Sequence, residues 1–263
     1  MPRQPMMNWS LFPPNTREVQ FDEKWAFVGK KEAHCAPEEK CKGDAWDHIA
    51  FDPEHRLVVS IVPGKRTKEN VDALVHDFAS RTGHRLMDLI TSDEHKPYKD
   101  AILREYGDLV PQPRRFPRGR PPKPKLEPPQ DLVYATVHKV RKKGRVVSAQ
   151  PRLIFGTEQQ LETALETSSA SKKVNIAFVE RNNATGRHRN ARKVRKSYRF
   201  SKDWDIHKGM TWLECAFYNF CWPVRTLRKE AKERTPAMAA GLAHHIWSIK
   251  EWFTFPAVFR SNE

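Results

Sequence analysis

The chain has 263 residues and a mass of 30.7 kDa, enough for one large domain or two small ones with a proper core. A formal charge of +15 and a pI near 9.8 are far from the balance of an ordinary metabolic enzyme and point to a polyanionic partner, nucleic acid first and a membrane surface second. Mean hydropathy is −0.75, no apolar run approaches the roughly 20 residues of a spanning helix, and MPRQPMMNWSLFPPN has no continuous apolar stretch of the secretory kind. The expectation is an intracellular protein whose four cysteines, Cys35, Cys41, Cys215 and Cys221, are reduced thiols.

Residues 1–17, with Pro2, Pro5, Pro13, Pro14 and Asn15, read as a flexible lead-in. From Glu18 the text EVQFDEKWAFVG places Val19, Phe21, Trp25 and Phe27 at period two, as in a strand, with Asp22 in its middle. A charge inside a buried strand is costly unless it is paired or holds a metal; the alternative is an edge strand with Asp22 and Glu23 in solvent. The next segment carries His34, Cys35 and Cys41, but Cys-x5-Cys is too wide for a zinc knuckle, so a surface loop is expected. AWDHIAF and RLVVSIV then form a hairpin around Asp52-Pro53-Glu54-His55, with Asp44, Asp47 and Asp52 as turn and edge residues. PGKRTKEN lacks the glycine a phosphate-binding loop needs, so Gly64 ends the strand. A helix over Lys68–Ser80 turns Val71, Leu74, Val75 and Phe78 to the core. LMDLITSD is a short strand ending in Asp93, and Pro97 opens a helix through Tyr106. An acid at the carboxyl end of a strand in an open sheet is placed where ligands gather; the alternative is that Asp93 or Glu94 merely caps the helix.

Residues 109–130 hold eight of the twenty prolines and six lysines and arginines, which predicts an extended basic segment, either linker or strap. A second hairpin over 131–157, with a basic tip at Arg141-Lys142-Lys143-Gly144, and a short helix over Glu158–Glu166 follow. NIAFVERNNATGRHRNARKVRKSYR then sets one apolar-flanked carboxylate, Glu180, before a dense run of cations. Such a run is ordinarily a solvated helix face with internal ion pairs. If the helix persists through Gly186, Glu180 and Arg187 share a face. The rest, 201–252, reads as C-terminal helices: an apolar stripe of Ile206, Met210, Leu213, Phe217 and Phe220, a stop at Trp222-Pro223, and a last short helix from Thr235-Pro236 to Gly241. Cys215 and Cys221 fit core positions, His207 and Trp212 ordinary packing, and Trp247, Trp252 and Phe253 packing onto the chain's own sheet; 253–263 is a tail.

The segments QFDEKWAFVGKK, HIAFDPEHRLVVSIVPGKRT, ITSDEHKPY, AFVERNN, RKSYRFSKDWDIH, YNFCWPVRTLR and TPAMAAGL, in this order, resemble the catalytic region of insertion-sequence transposases of the IS-one type, within the DDE superfamily. The resemblance runs from about Glu18 to Trp252. It implies an α/β, RNase-H-like fold over 18–252: a mixed five-stranded sheet with flanking helices, to which the 109–130 segment and the 131–157 hairpin are insertions and 201–252 is an extension. It also implies a catalytic and metal-binding triad of Asp22, Asp93 and Glu180, holding two Mg²⁺ or Mn²⁺ ions, and it is this resemblance that selects Asp22 over Glu23 and Asp93 over Glu94. Carboxylate oxygens are hard ligands suited to such ions. DNA contacts are expected from Arg181, Asn182, Asn183, Arg187, Arg189, Arg192, Lys193, Arg195 and Lys196, with His188 beside them. The implied reaction is cleavage and strand transfer at transposon ends by a homo-oligomer on double-stranded DNA, in a prokaryotic cytoplasm at the nucleoid. Relatives also carry a DNA-reading module, sometimes from an upstream frame, and the short stretch before Asp22 leads to the expectation that this chain is the catalytic portion alone. Two other readings stand beside it: an RNase-H-like nuclease or domesticated derivative, and a non-catalytic basic DNA-binding protein.

Overall fold

The computed structural model describes residues 15–113, 122–143 and 145–255. The lead-in expected over 1–17 and the tail over 253–263 therefore lie largely outside the described residues, as do the middle of the 109–130 segment and the Gly144 tip of the second hairpin.

A mixed six-stranded sheet runs through the molecule in the order β3-β2-β1-β4-β7-β8. Its strands are β1 (Glu18–Val28), β2 (Gly43–Asp52), β3 (Leu57–Gly64), β4 (Leu89–Asp93), β7 (Tyr134–Lys142) and β8 (Arg145–Phe155). β1, β2 and β3 form an antiparallel meander, β4 is parallel to both β1 and β7, and β8 returns antiparallel to β7. The expected five strands plus a separate hairpin are thus corrected: the 131–157 hairpin is not an insertion but one flank of the sheet, because β7 takes its ladder hydrogen bonds from β4.

Helices cover both faces. α1 (Lys68–Arg81) and α2 (Pro97–Tyr106) pack Val71, Leu74, Val75, Phe78, Tyr98 and Ile102 against Val19, Phe21, Leu57, Val59 and Ile90. α1 starts on Thr67, whose hydroxyl accepts the Asn70 N–H, the capping its sequence offers. On the opposite face α3 (Glu158–Thr167) sits over Leu89, Val133 and Ala135, while α4 (Ala177–Arg189) brings Val179 against Ile49, Phe51 and Val137. Burial on both faces explains why β1 departs from simple alternation: Val19 and Phe21 face α1, but Gln20 and Lys24 on the other face are buried too. At roughly 25 cal/mol per Å² of apolar surface, a side chain such as Phe21 or Val19 contributes about 2 kcal/mol here, and an exposed edge position would contribute almost none.

Three further expectations change. Asp47 and Asp52 are not edge residues; both are fully buried and both are fully partnered, Asp52 by Thr16, His55 and the Glu54 and His55 N–H groups of the β2–β3 turn. The proline-rich segment is closed at its base, since β5 (Asp108–Val110) pairs antiparallel with β6 (Lys125–Glu127). In α5 (Trp204–Ala216) and the single π turn that continues it over Phe217–Cys221, the fully buried positions include His207, Thr211, Tyr218 and Asn219, while Ile206 is exposed. Of the expected apolar stripe Phe220 is buried and Met210, Leu213 and Phe217 are half-buried, while the polar His207 and Thr211 take the innermost positions of α5 because this helix faces a buried ion network, described below. Two short helices, α6 (Pro236–Ala239) and α7 (Ile249–Thr254), complete the C-terminal part, where Trp247 packs its ring at a tilt against Phe220 and Phe255 rather than on the sheet. Among the described residues, no helix is long and apolar enough to cross a membrane. All four cysteines are free thiols.

Candidate metal centre

Strand register does the first work at the site. Phe21 of β1 pairs with Ser92 of β4 in a parallel ladder, so the next residues along, Asp22 and Asp93, leave neighbouring strands side by side. Both belong to the face covered by α4, as Gln20 and Thr91 do two residues earlier, each bonded to the Asn175 carbonyl that leads into that helix. Glu23 leaves β1 on the opposite face, yet its side chain reaches the end of β4. One carboxylate oxygen each of Asp22, Glu23 and Asp93 lies within 4.8 Å of the other two.

α4 is held across these strands by side chains of its own and of β1. Gln20 accepts the Val179 N–H at 3.1 Å, and Asn183 donates its side-chain amide to Asp22 Oδ2 at 2.8 Å. Glu180 is one turn before Asn183 and on the same side of the helix, near enough to Asp22 for its charge to act on it. Its carboxylate is bonded to Lys139 of β7. Of the expected triad, then, Asp22 and Asp93 converge directly, Glu180 flanks them with its carboxylate on Lys139, and the third converging oxygen belongs to Glu23.

The electrostatics follow from crowding like charges in a dry place. Burial, then the charges of Asp93, Glu23 and Glu180, push the Asp22 carboxyl up to about 7. Asp93 is raised as well, by burial first and Glu23 second, although it accepts the His95 N–H at 3.0 Å. Opposing cations are few. Arg66, stacked over the Trp46 ring, donates to Glu23 Oε2 at 3.0 Å and lies 3.7 Å from Asp93 Oδ2. Lys139 answers Glu180. Four carboxyl groups thus meet two paired cations and the more distant Arg187, so positive charge is in deficit once Asp22 ionises. Glu23 Oε1 is buried without a well-formed hydrogen bond, and the buried Tyr98 hydroxyl is the polar group beside that carboxylate. A divalent cation with hard-oxygen preference matches both the charge deficit and the donor set, so Asp22, Glu23 and Asp93 could hold such an ion.

The basic run after Glu180 divides in two. The helix does persist through Gly186, to Arg189, and glycine is needed there because α4 passes close over the Lys24–Glu214 ion pair: a Cβ would stand 2.5 Å from Glu214 Oε1 and 2.9 Å from Lys24 Nζ. Arg181, His188, Arg192, Arg195 and Lys196 are exposed. Lys193 is a correction: it is buried, and its ammonium bonds Asp47 and Thr211, which removes it from any outer DNA track. Asn182 and Asn183 are also buried, Asn182 accepting from Arg189 and Asn183 orienting Asp22. Arg189 lies over the Tyr218 ring at 4.2 Å. Arg187 is half-buried beside Asn183, within the field of Asp22, Asp47 and Glu214.

Behind the site, two residues further along the same face of β1, Lys24 sits 3.0 Å from Glu214 Oε1 and 3.5 Å from Asp47 Oδ2, and Lys193 joins Asp47 from the turn after α4. Burial alone would raise the Asp47 carboxyl, but the Lys193 and Lys24 ammonium groups overcome it and hold it at about 2. His207, buried beside the two lysines, is depressed to about 4 and stays neutral. The sequence left Asp22 and Glu23 as alternatives rather than joint members of the site, and the ion network was not readable in it. Glu23 points away from Asp22 by strand alternation, and the network joins positions up to 190 residues apart.

No protein-family model matches this sequence, and none of the curated proteins is significantly similar to it.

Proposed function

We propose that this chain is the catalytic domain of a DDE-type transposase with an RNase-H-like fold, carrying out divalent-metal-dependent phosphoryl transfer on DNA. The observation that carries this reading is the placement of Asp22 and Asp93 side by side on adjacent parallel strands, with Glu180 on a helix bonded across them through Asn183. The sheet order β3-β2-β1-β4-β7, antiparallel on one side of β1 and parallel on the other, supports the same reading.

Asp22, Glu23 and Asp93 would hold Mg²⁺ or Mn²⁺, with Glu180 as a further ligand. Ions held there supply the Lewis-acid neutralisation that phosphoryl oxygens need in an in-line displacement. The chain's own groups do the rest. Asn183 fixes the Asp22 carboxylate in one rotamer by donating to Oδ2, so the ligand is preorganised. Arg66 holds Glu23 and Asp93 together against their mutual repulsion. Arg187, half-buried near Asp22, is poised to take a non-bridging phosphate oxygen, and Arg181, Arg192, Arg195 and Lys196 bind backbone phosphates further out. No covalent protein intermediate is needed, because the attacking oxygen comes from water or from a DNA 3′-hydroxyl.

The test is strand cleavage and joining of a labelled DNA duplex bearing the element's ends, with Mn²⁺ or Mg²⁺. Asp22→Ala, Asp93→Ala and Glu180→Ala should each abolish both steps while the chain stays folded. Metal-dependent activity untouched by these changes would remove the site assignment; cleavage without joining would favour a nuclease of the same fold; DNA binding with no metal effect would leave a basic binding protein.

A further inference from the structure

We propose that Lys139 is a phosphate-positioning residue held in reserve by Glu180: its ammonium neutralises Glu180 in the metal-free chain, and divalent-ion binding releases it to the substrate phosphate. The proposal rests on the metal-centre reading given above and adds to it a residue and a switch.

Register places the residue. Asp93, the last residue of β4, pairs with Val137 of β7, so Val137 lies on the same face as Asp93 and packs against Val179 of α4. Lys139 follows two residues later, again on that face, just past the point where β4 ends and the carboxylates gather. From there it reaches Glu180 across the gap between sheet and helix, with its side chain four-fifths buried while Glu180 is about half exposed. Two neighbouring side chains of the hairpin, His138 and Arg152, bond Glu94 instead.

A lysine in this position has two incompatible demands on it. Its charge substitutes at Glu180 for the positive charge the carboxylate cluster lacks, yet a divalent ion drawn to the same carboxylates repels it. Arg66 does not face this conflict in the same way, because one of its guanidinium nitrogens sits between two carboxylates, 3.0 Å from Glu23 and 3.7 Å from Asp93, and the group lies over the Trp46 ring. Lysine is a compact point charge on a flexible stem, so breaking one half-exposed ion pair is a small cost for it. Once the ion takes Glu180, the ammonium remains beside the site with no anion of the protein in place. The phosphate that must lie against the same ions is the anion that fills that role. The device keeps the acidic centre from repelling itself before metal arrives and delivers a cation to substrate only when the centre is loaded.

Mn²⁺ binding is followed on the intact chain by the electron paramagnetic resonance signal of the free ion, for the wild type, Lys139→Met, Lys139→Arg and Asp22→Asn. Binding of a DNA duplex is measured in EDTA and in saturating Ca²⁺. Lys139→Met should bind Mn²⁺ about fivefold more tightly, since a competing charge is gone. Its duplex affinity in Ca²⁺ should fall severalfold while that in EDTA is unchanged, and Lys139→Arg should behave as the wild type in both. A merely structural clamp between β7 and α4 predicts the opposite sign, with Lys139→Met binding Mn²⁺ more weakly. Asp22-dependent Mn²⁺ binding that Lys139→Met leaves equal or weaker overturns the Lys139 proposal alone. Mn²⁺ binding that Asp22→Asn leaves intact overturns the metal-centre reading and this proposal with it.

Discussion

Replacing Lys24 by methionine tests whether the ion network behind the site is what fixes α4 and α5 to the sheet. In the folded chain Lys24 and Lys193 face Asp47 and Glu214, and none of the four side chains is more than 8% exposed. His207 is neutral at pH 7, because burial and then Lys193 hold it at about 4. The cluster therefore carries two positive and two negative charges. Lys24→Met keeps the volume of the stem but leaves the buried cluster one positive charge short, with Glu214 held only by the Asn190 amide and by Lys193 at 3.9 Å, and breaking one side of such a pair costs about 3–5 kcal/mol. For a chain of this size each kcal/mol lowers the melting temperature by about 2–4 °C, so a drop on the order of 10 °C is expected. Urea titration gives the free energy directly. The decisive measurement is the double variant Lys24→Met/Glu214→Gln, which restores neutrality and should be more stable than the sum of the two single losses by at least about 1 kcal/mol. A single loss below about 1 kcal/mol, or losses that simply add, would refute the claim that charge pairing holds these elements together.

Other outcomes follow from the same geometry. Asp22, raised to about 7 in the fold against 3.8 as a free group, holds a proton that the unfolded chain has released. Metal-free stability should therefore fall as pH rises between about 4 and 7, and Asp22→Asn should stabilise the metal-free chain at pH 8, on the order of 1–3 kcal/mol, but not at pH 4, as read by thermal melts across pH. Mn²⁺ at a hundred times its dissociation constant should stabilise the wild type by about 2.7 kcal/mol and leave Asp22→Asn and Asp93→Asn nearly unmoved. Gly186→Ala, whose methyl meets Glu214 and Lys24, should cost about 1–3 kcal/mol in urea despite the better helix propensity of alanine. Arg192→Ala, Arg195→Ala and Lys196→Ala should each weaken DNA binding and reduce its logarithmic salt slope by about 1 with little effect on stability, whereas Lys193→Ala should destabilise the fold first.

What could be read in the sequence was what depends on near neighbours along the chain. Val71, Leu74, Val75 and Phe78 at helical spacing marked α1 and its buried face, Asp52-Pro53 marked the β2–β3 turn, and Pro97 marked the start of α2. Asp93 was visible as a strand terminus, and Glu180 as an acid ahead of a basic run, because short periodicities place both. The 131–157 hairpin was visible too, but its membership in the sheet was not. That depends on β7 hydrogen-bonding to β4, some 40 residues earlier, and no local pattern encodes a partner. The same limit governs charge. Lys24, Asp47 and Lys193 are indistinguishable in sequence from the solvated charges around them, and only the crossing of β1, β2 and the turn after α4 buries them as partners. It also governs the site: the parallel register of β1 on β4 sets Asp22 beside Asp93, the end of β4 lets Glu23 reach them from the other face, and β7 puts Lys139 on Glu180. Local pattern decided which elements form and which faces are apolar; strand register decided which charges meet, because convergence of side chains is a property of neighbouring strands and not of neighbouring residues.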